Sequence, residues 1–222
     1  TVTFNSTGLA AGTYTANACF ASNDVAHPIT MVPVTLTVTS GGSTCSPTQL
    51  LGDPSLENFG APWTGIDSVF GTPFCDSSCG ADPHTGDGFV WFGGTPTAGT
   101  VSLSQSVVFP SAQPRWLNYW FIDQLGGSDG QPNATFTIKI DGNTIDTVTP
   151  GTVSNTYAPK TLAIPSQYTD GASHTLRFDY AKTGTGLRGA MIDDITLDCS
   201  AQSTSAPARP VGPVSAALRS MH

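Results

Sequence analysis

The stretch MIDDITLDC, residues 191–199, sets two adjacent aspartates inside a run that otherwise reads as a β-strand. In period two, Met191, Asp193, Ile195 and Leu197 share one face, and Asp194 and Thr196 take the other. Asp193 therefore points where a core residue belongs. An unpaired carboxylate there is costly, so the fold has to bring it a cation or a set of hydrogen-bond donors.

A strand of this kind needs neighbours, and the preceding sequence offers them at close intervals. GFVWFGG (88–94), TVSLSQSVVF (100–109), RWLNYWFID (115–123), TFTIKI (135–140), NTIDTV (143–148) and HTLRFDYA (174–181) all carry strand signals. The clearest hairpin is TFTIKIDGNTIDTV: Phe136, Ile138 and Ile140 point one way, Asp141-Gly142 makes the turn, and Ile145 restarts the pattern. Many short strands, Gly/Pro punctuation and no helical periodicity predict an all-β chain whose main body, residues 45–199, is a jelly-roll β-sandwich.

Composition narrows the class. Only 11% of the 222 residues are charged, while Gly (24) and Pro (17) are plentiful, as in secreted β-proteins with hydroxyl-rich surfaces. A net charge of −8, with eight scattered basic residues, excludes a nucleic-acid partner. No apolar run reaches the length of a membrane span. The expected location is extracellular, with any targeting segment upstream or already removed.

Five cysteines fit that compartment. Cys75 and Cys79 in CDSSC are one residue too far apart for a redox dithiol, and zinc would need a second ligand pair, so a small loop-closing disulfide is expected. Cys45 and Cys199 bracket the main body and are expected to staple its first and last strands, adding about 5 kcal/mol by loop entropy. Cys19 is left over.

Ahead of the main body lie three strand-like runs, TVTFN (1–5), GTYTANACFAS (12–22) and ITMVPVTLTV (29–38), followed by the Ser/Gly-rich linker of residues 40–44. Three strands cannot bury two faces. The stretch from Gly8 to Val38 resembles the last three strands of bacterial immunoglobulin-like repeats, with its Gly-Thr-Tyr, Ser-Asn-Asp and Val-Pro-Val elements. That resemblance implies an incomplete immunoglobulin-like domain over residues 1–39 with further strands upstream. At the other end, the Pro-, Ala- and Ser-rich segment 200–222 is predicted to be a disordered tail.

Three separated stretches answer the question posed by Asp193. DPSLENFGAPW (53–63) puts Glu57 on the expected first strand, GADPHTGDGFVWFGG (80–94) contains a turn at His84–Gly86, and MIDDITLDC is the last strand. First and last strands of a jelly roll are neighbours, and two carboxylates plus loop carbonyls make an oxygen cage suited to calcium. LEN, HTG and IDDI resemble the Phe-Glu, His-Ser/Thr-Gly and Asp-Asp-Val elements of calcium-binding jelly rolls in bacterial carbohydrate-binding modules, with Leu56 in place of the usual Phe. The resemblance implies Glu57 and Asp193 as side-chain ligands and a carbonyl from the turn of His84 and Gly86. The alternative is a buried network in which backbone amides satisfy the carboxylates without metal. FGTPFCDSSCG, WFGG and SLSQSVVFP further resemble the non-catalytic jelly rolls appended to secreted bacterial subtilisin-type peptidases.

No catalytic constellation is legible: His27, His84, His174 and His222 lie in unrelated contexts, with neither a Gly-x-Ser-x-Gly elbow nor a His-Glu-x-x-His helix. A non-enzymatic module is expected, attached to a catalytic domain elsewhere in its parent protein. Its expected role is substrate or surface attachment through polysaccharide or cell-surface glycan, with Trp91, Trp116 and Trp120 as candidate stacking platforms beside the packing alternative. The rival expectation is a structural or adhesive protein that assembles by completing its partial first domain with strands of another chain.

Overall fold

The computed structural model describes residues 12–21, 23, 28–38, 49–125, 134–148 and 153–202. They belong to two units, Thr1–Thr44 and Cys45–His222. In the first, β1 (Gly12–Ala21) pairs antiparallel with β2 (Ile29–Val38), Tyr14 facing Leu36 and Ala18 facing Val32. Tyr14, Phe20 and Val32 lie on one face, while Cys19 and Met31 lie on the other among threonines. Neither face is closed: Phe20 is 48% and Met31 65% exposed, because two strands alone cannot bury a sheet. Cys19 is a free, exposed thiol. The expected strand over residues 1–5 lies outside the described residues.

The second unit is a sandwich of two five-stranded antiparallel sheets. In chain order its strands are β3 (Thr64–Asp67), β4 (Phe74–Cys75), β5 (Phe89–Thr95), β6 (Gly99–Val108), β7 (Trp116–Gln124), β8 (Ala134–Ile140), β9 (Asn143–Val148), β10 (Ala158–Ala163), β11 (Ser173–Lys182) and β12 (Arg188–Asp198). One sheet runs β10-β7-β12-β5-β4 and the other β3-β6-β11-β8-β9. The β8–β9 hairpin turns on Asp141 (φ 51°) and Gly142 (φ 80°), the left-handed pair that matches strand twist. Phe136, Ile138 and Ile140 are fully buried in the main core, and the Phe136 ring meets Phe92, Phe121 and Phe178. Strand β10 escapes the sequence patterns because it is short and carries Pro159, which only an edge strand tolerates. No helix among the described residues is long and apolar enough to cross a membrane.

Strand β12 departs from simple alternation. Its pairing with β7 shifts register between Asp193 and Thr196, and Asp194 takes φ 47°, unusual for a residue with a side chain. Met191 consequently belongs to a second apolar cluster on the outer face of its sheet, whereas Ile195 and Leu197 belong to the main core. Asp193 is fully buried, as expected, but it is not on the face of Ile195 and Leu197. The bulge breaks the period-two reading.

Two boundaries also move. Glu57 lies in a series of turns rather than on a first strand, with left-handed φ at Asp53, Leu56 and Phe59, and the Asp53 carboxylate accepts from Glu57 N (3.1 Å) and Asn58 N (3.1 Å). Residues 200–202 are held rather than disordered: Asn118 Nδ2 donates to the Ser200 carbonyl (3.1 Å) and Gln202 N donates to Asn118 Oδ1 (2.8 Å). Residues 203–222 lie outside the described set.

Candidate functional site

The donors that Asp193 needs come from the turn leading into β5. His84 N (2.8 Å) and Thr85 N (3.1 Å) donate to Asp193 Oδ2, and Asp194 N (2.6 Å) donates to Oδ1. Glu57 grips the same turn further on, accepting from Asp87 N (3.0 Å) and Gly88 N (3.3 Å). Gly86 between them has φ 60°, and a Cβ there would collide with Glu57 Oε1, so glycine alone fits. The sequence thus brings Glu57, His84, Gly86 and Asp193 together as expected, but what the turn supplies to the carboxylates is backbone N–H.

A carboxylate offers about four lone-pair sites. Asp193 accepts three backbone N–H contacts, and Glu57 also accepts three, the Asp87 N–H being shared between its two oxygens, so each carboxylate keeps about one lone-pair site for a cation. Burial, joined by the charge of Asp194, pushes Asp193 up to about 8 against the pull of its N–H partners. Among the described residues no three His, Cys, Asp or Glu side chains converge as a metal-binding group, so any calcium here would draw on backbone oxygens for the rest of its shell.

Asp194 sits on the bulge with its side chain partly exposed. Its Oδ2 lies 2.5 Å from His84 Nδ1, and its Oδ1 accepts from Thr85 Oγ1 (2.7 Å). The His84 ring in turn stacks on Trp120 at 3.9 Å between centroids and meets Tyr157 edge-on at 5.3 Å. Below them Cys75, Ala81, Phe89, Trp91, Trp120, Ile122, Tyr157 and Met191 form the second cluster, with the Cys75–Cys79 disulfide closing the loop at its rim. The Tyr157 hydroxyl is buried with no hydrogen-bond partner among the described residues. Burial and the carboxylates of Asp193, Asp194 and Asp82 hold its ionisation well above the usual phenol value, so it remains a donor.

The tryptophans separate by burial. Trp91 is wholly buried and Trp120 is 5% exposed beneath His84, so neither presents a free face, a correction to their reading as platforms; Trp63 is also buried. Trp116 alone of the four keeps part of its surface. In register it lies between Ala163 of β10 and Asp198 of β12, and the next row on that face is Thr161, Asn118 and Thr196. Asn118 is pinned by Thr161 Oγ1 (2.6 Å) on one side and reaches Asp198 Oδ2 (3.4 Å) on the other, and Thr196 Oγ1 donates to Asp198 Oδ2 (2.5 Å). A half-buried indole beside hydroxyl and carboxylate groups, which the buried Asn118 amide holds in place, is a surface suited to a polar ring with an apolar face. Sequence spacing had put Trp116 and Trp120 on one face; it carried no sign of which one the 80–88 loop would roof.

Cys199 is disulfide-bonded, and its expected partner Cys45 lies outside the described residues.

No protein-family model matches the chain, and no curated protein does. Solved structures similar to it include TmCBM61 in complex with β-1,4-galactotriose, 18% identical, with 68% of this chain and 99% of that one covered and a TM-score of 0.48. The K1 cleaved adhesin domain of Lys-gingipain from Porphyromonas gingivalis is 14% identical, over 66% of this chain and 96% of its own, with a TM-score of 0.46. A family 16 carbohydrate-binding module is 16% identical, over 67% and 98%, with a TM-score of 0.42.

Proposed function

We propose that the second unit is a non-catalytic glycan-binding module of a secreted protein, which attaches a parent protein and its catalytic domain to polysaccharide or cell-surface glycan. The observation that carries this reading is the Trp116 strip: the one tryptophan of the four that keeps part of its surface, flanked by Thr161, Thr196 and Asp198. Low charge, the Cys75–Cys79 bridge and the oxidised Cys199 support an oxidising, extracellular setting. A structural calcium ion belongs to the same reading. Glu57 and the buried Asp193, which gains from a nearby positive charge, would hold it against the 84–88 turn.

The test is retention of the full chain on a panel of immobilised polysaccharides. Wild type should be retarded on at least one, and Trp116→Ala should lose that retardation with an unchanged melting temperature. Absence of retardation on every polysaccharide, or equal retardation of the variant, would overturn the reading. A second reading, an adhesive component completed by strands of another chain, draws on the open faces of the β1–β2 hairpin. Mass that rises with concentration in analytical ultracentrifugation would favour it.

A further inference from the structure

Around Trp116 the polar hydrogens are already spent. Gln202 N donates to Asn118 Oδ1 (2.8 Å), and because a backbone N–H can meet only the oxygen of an amide, this contact fixes which way the Asn118 side chain is turned. Both hydrogens of its Nδ2 then have acceptors, Asp198 Oδ2 (3.4 Å) and the Ser200 carbonyl (3.1 Å). The Thr161 hydroxyl gives its one hydrogen to Asn118 Oδ1 (2.6 Å), and the Thr196 hydroxyl gives its own to Asp198 Oδ2 (2.5 Å). What remains to these three side chains is lone pairs. Thr161 is exposed, Thr196 and Asp198 are half-buried, and Asp198 Oδ1 meets no donor among the described residues. The Trp116 indole N–H, which meets no acceptor among the described residues, adds one neutral donor. Arg115, next along the chain, is buried, with its guanidinium donating to Gln113 Oε1 (3.0 Å) and to Cys199 Sγ (3.5 Å), so it is not at the surface to meet a ligand. The strip spans three strands, β10, β7 and β12, about 10 Å at the spacing of paired strands.

We propose that this strip selects its glycan by polarity: the ligand is a polysaccharide without acidic groups, with one ring resting on Trp116 and donating its hydroxyls to Asp198 Oδ1 and to the lone pairs of Thr161 and Thr196. This rests on the glycan-binding reading and deepens it by naming the class of sugar. A sugar hydroxyl supplies the hydrogens that the strip lacks, and a hydrogen bond to an ionised carboxylate is among the stronger kinds. A carboxylate or sulfate ester brings only acceptors, with a charge of the same sign as Asp198. Held against acceptors, such a group loses water and gains almost no donor in return. Asp198 is the specificity-determining residue: its contacts with Asn118 and Thr196 fix it beside the indole through Oδ2 and leave Oδ1 open.

The experiment is titration calorimetry of the full chain with soluble neutral glucans, mannans and galactans, each beside the same polymer with its primary hydroxyls oxidised to carboxylates. Wild type should bind at least one neutral polymer, and its oxidised form about tenfold more weakly or worse. Asp198→Asn keeps an oxygen for Thr196 and Asn118 but loses the charge. Its affinity for the neutral polymer should fall about fivefold, while the gap between the two forms closes to about threefold or less. Equal or tighter wild-type binding of the oxidised form overturns the selection and leaves the module's function standing. A gap that Asp198→Asn leaves at its wild-type width does the same. Should that variant not fold, salt takes its place: screening should narrow the wild-type gap, and a gap that salt leaves unchanged overturns the proposal. Binding that survives in Trp116→Ala, or no binding to any polymer in either form, would instead count against the function itself.

Discussion

Two places in the sandwich are each closed by a pair of carboxylates, in opposite ways. At the start of β11, Asp141 from the β8–β9 turn and Asp170 from the preceding loop converge on one side chain: His174 Nδ1 lies 2.6 Å from Asp141 and Nε2 3.0 Å from Asp170. At residues 84–88, Glu57 and Asp193 converge on backbone N–H groups of one turn. Both ring nitrogens of His174 face acceptors, so the contact is complete only when the ring carries two protons. The 84–88 turn uses donors that never titrate. His84, the other buried histidine, keeps one nitrogen open. A doubly engaged imidazole is a fastener, whereas a singly engaged one is still available to something else.

This contrast can be sharpened by experiment, beginning with the largest effect. If calcium completes the 84–88 turn, saturation at a hundredfold excess over Kd stabilises the fold by about 2.7 kcal/mol. Chelator should then lower the melting temperature, added calcium should restore it, and Glu57→Gln should blunt that response. An unchanged melting curve in chelator together with no metal by elemental analysis would leave backbone N–H groups as the whole answer to Asp193.

His174→Ala comes next. It removes a buried ring packed edge-on to Phe109 and Tyr168 (5.5 Å each) and unfastens two turns, while Asp141 and Asp170, half exposed, return to water. A loss of about 2 kcal/mol in urea denaturation is expected. A loss as small as that of an ordinary surface substitution would show that the two aspartates are idle.

The smallest effect is in pH. Hydrogen bonds to Asp141 and then Asp170 raise His174 above its ordinary 6.5, so its contribution is fully present below that value and is lost as pH climbs through the higher folded one. The aspartates shift the other way: the His174 bond lowers Asp141 first, and the Ala172 N–H lowers Asp170 first. Their share is present above the usual 3.8 and fades as pH falls through the lowered values. Between about pH 6 and 9 the melting temperature should therefore fall more steeply in wild type than in His174→Gln, which cannot titrate. Parallel curves would mean that the fastener holds without its second proton.

Much of the sandwich was legible because its strands obey simple alternation. Phe136, Ile138 and Ile140, and the Asp-Gly turn after them, read correctly from the sequence and lie where the pattern puts them. Strand β10 was missed because an edge strand with a proline and one fully covered face fewer leaves little periodic trace. Glu57, His84, Gly86 and Asp193 were grouped by a motif resemblance, and they do meet. Their chemistry was not legible, since nothing in HTG tells whether the turn offers carbonyl or N–H to a carboxylate. Tyr157, Asn118 and Asp198 carry no local signature at all; only the register of β7 against β10 and β12 brings two of them beside Trp116.

The bulge at Asp194 has a consequence for how β12 can change. One left-handed residue inverts the parity of the strand, so that odd positions serve the outer cluster before it and the main core after it. Substitutions along β12 act at one address, but drawing Asp194 into regular extended pairing, with no residue removed, would exchange addresses for everything downstream. Ile195 and Leu197 would be sent to the outer face, and Thr196 and Asp198 to the core. Alternation in this strand is thus held by one residue's backbone angle, and removing that one residue would leave a plain strand with the same addresses.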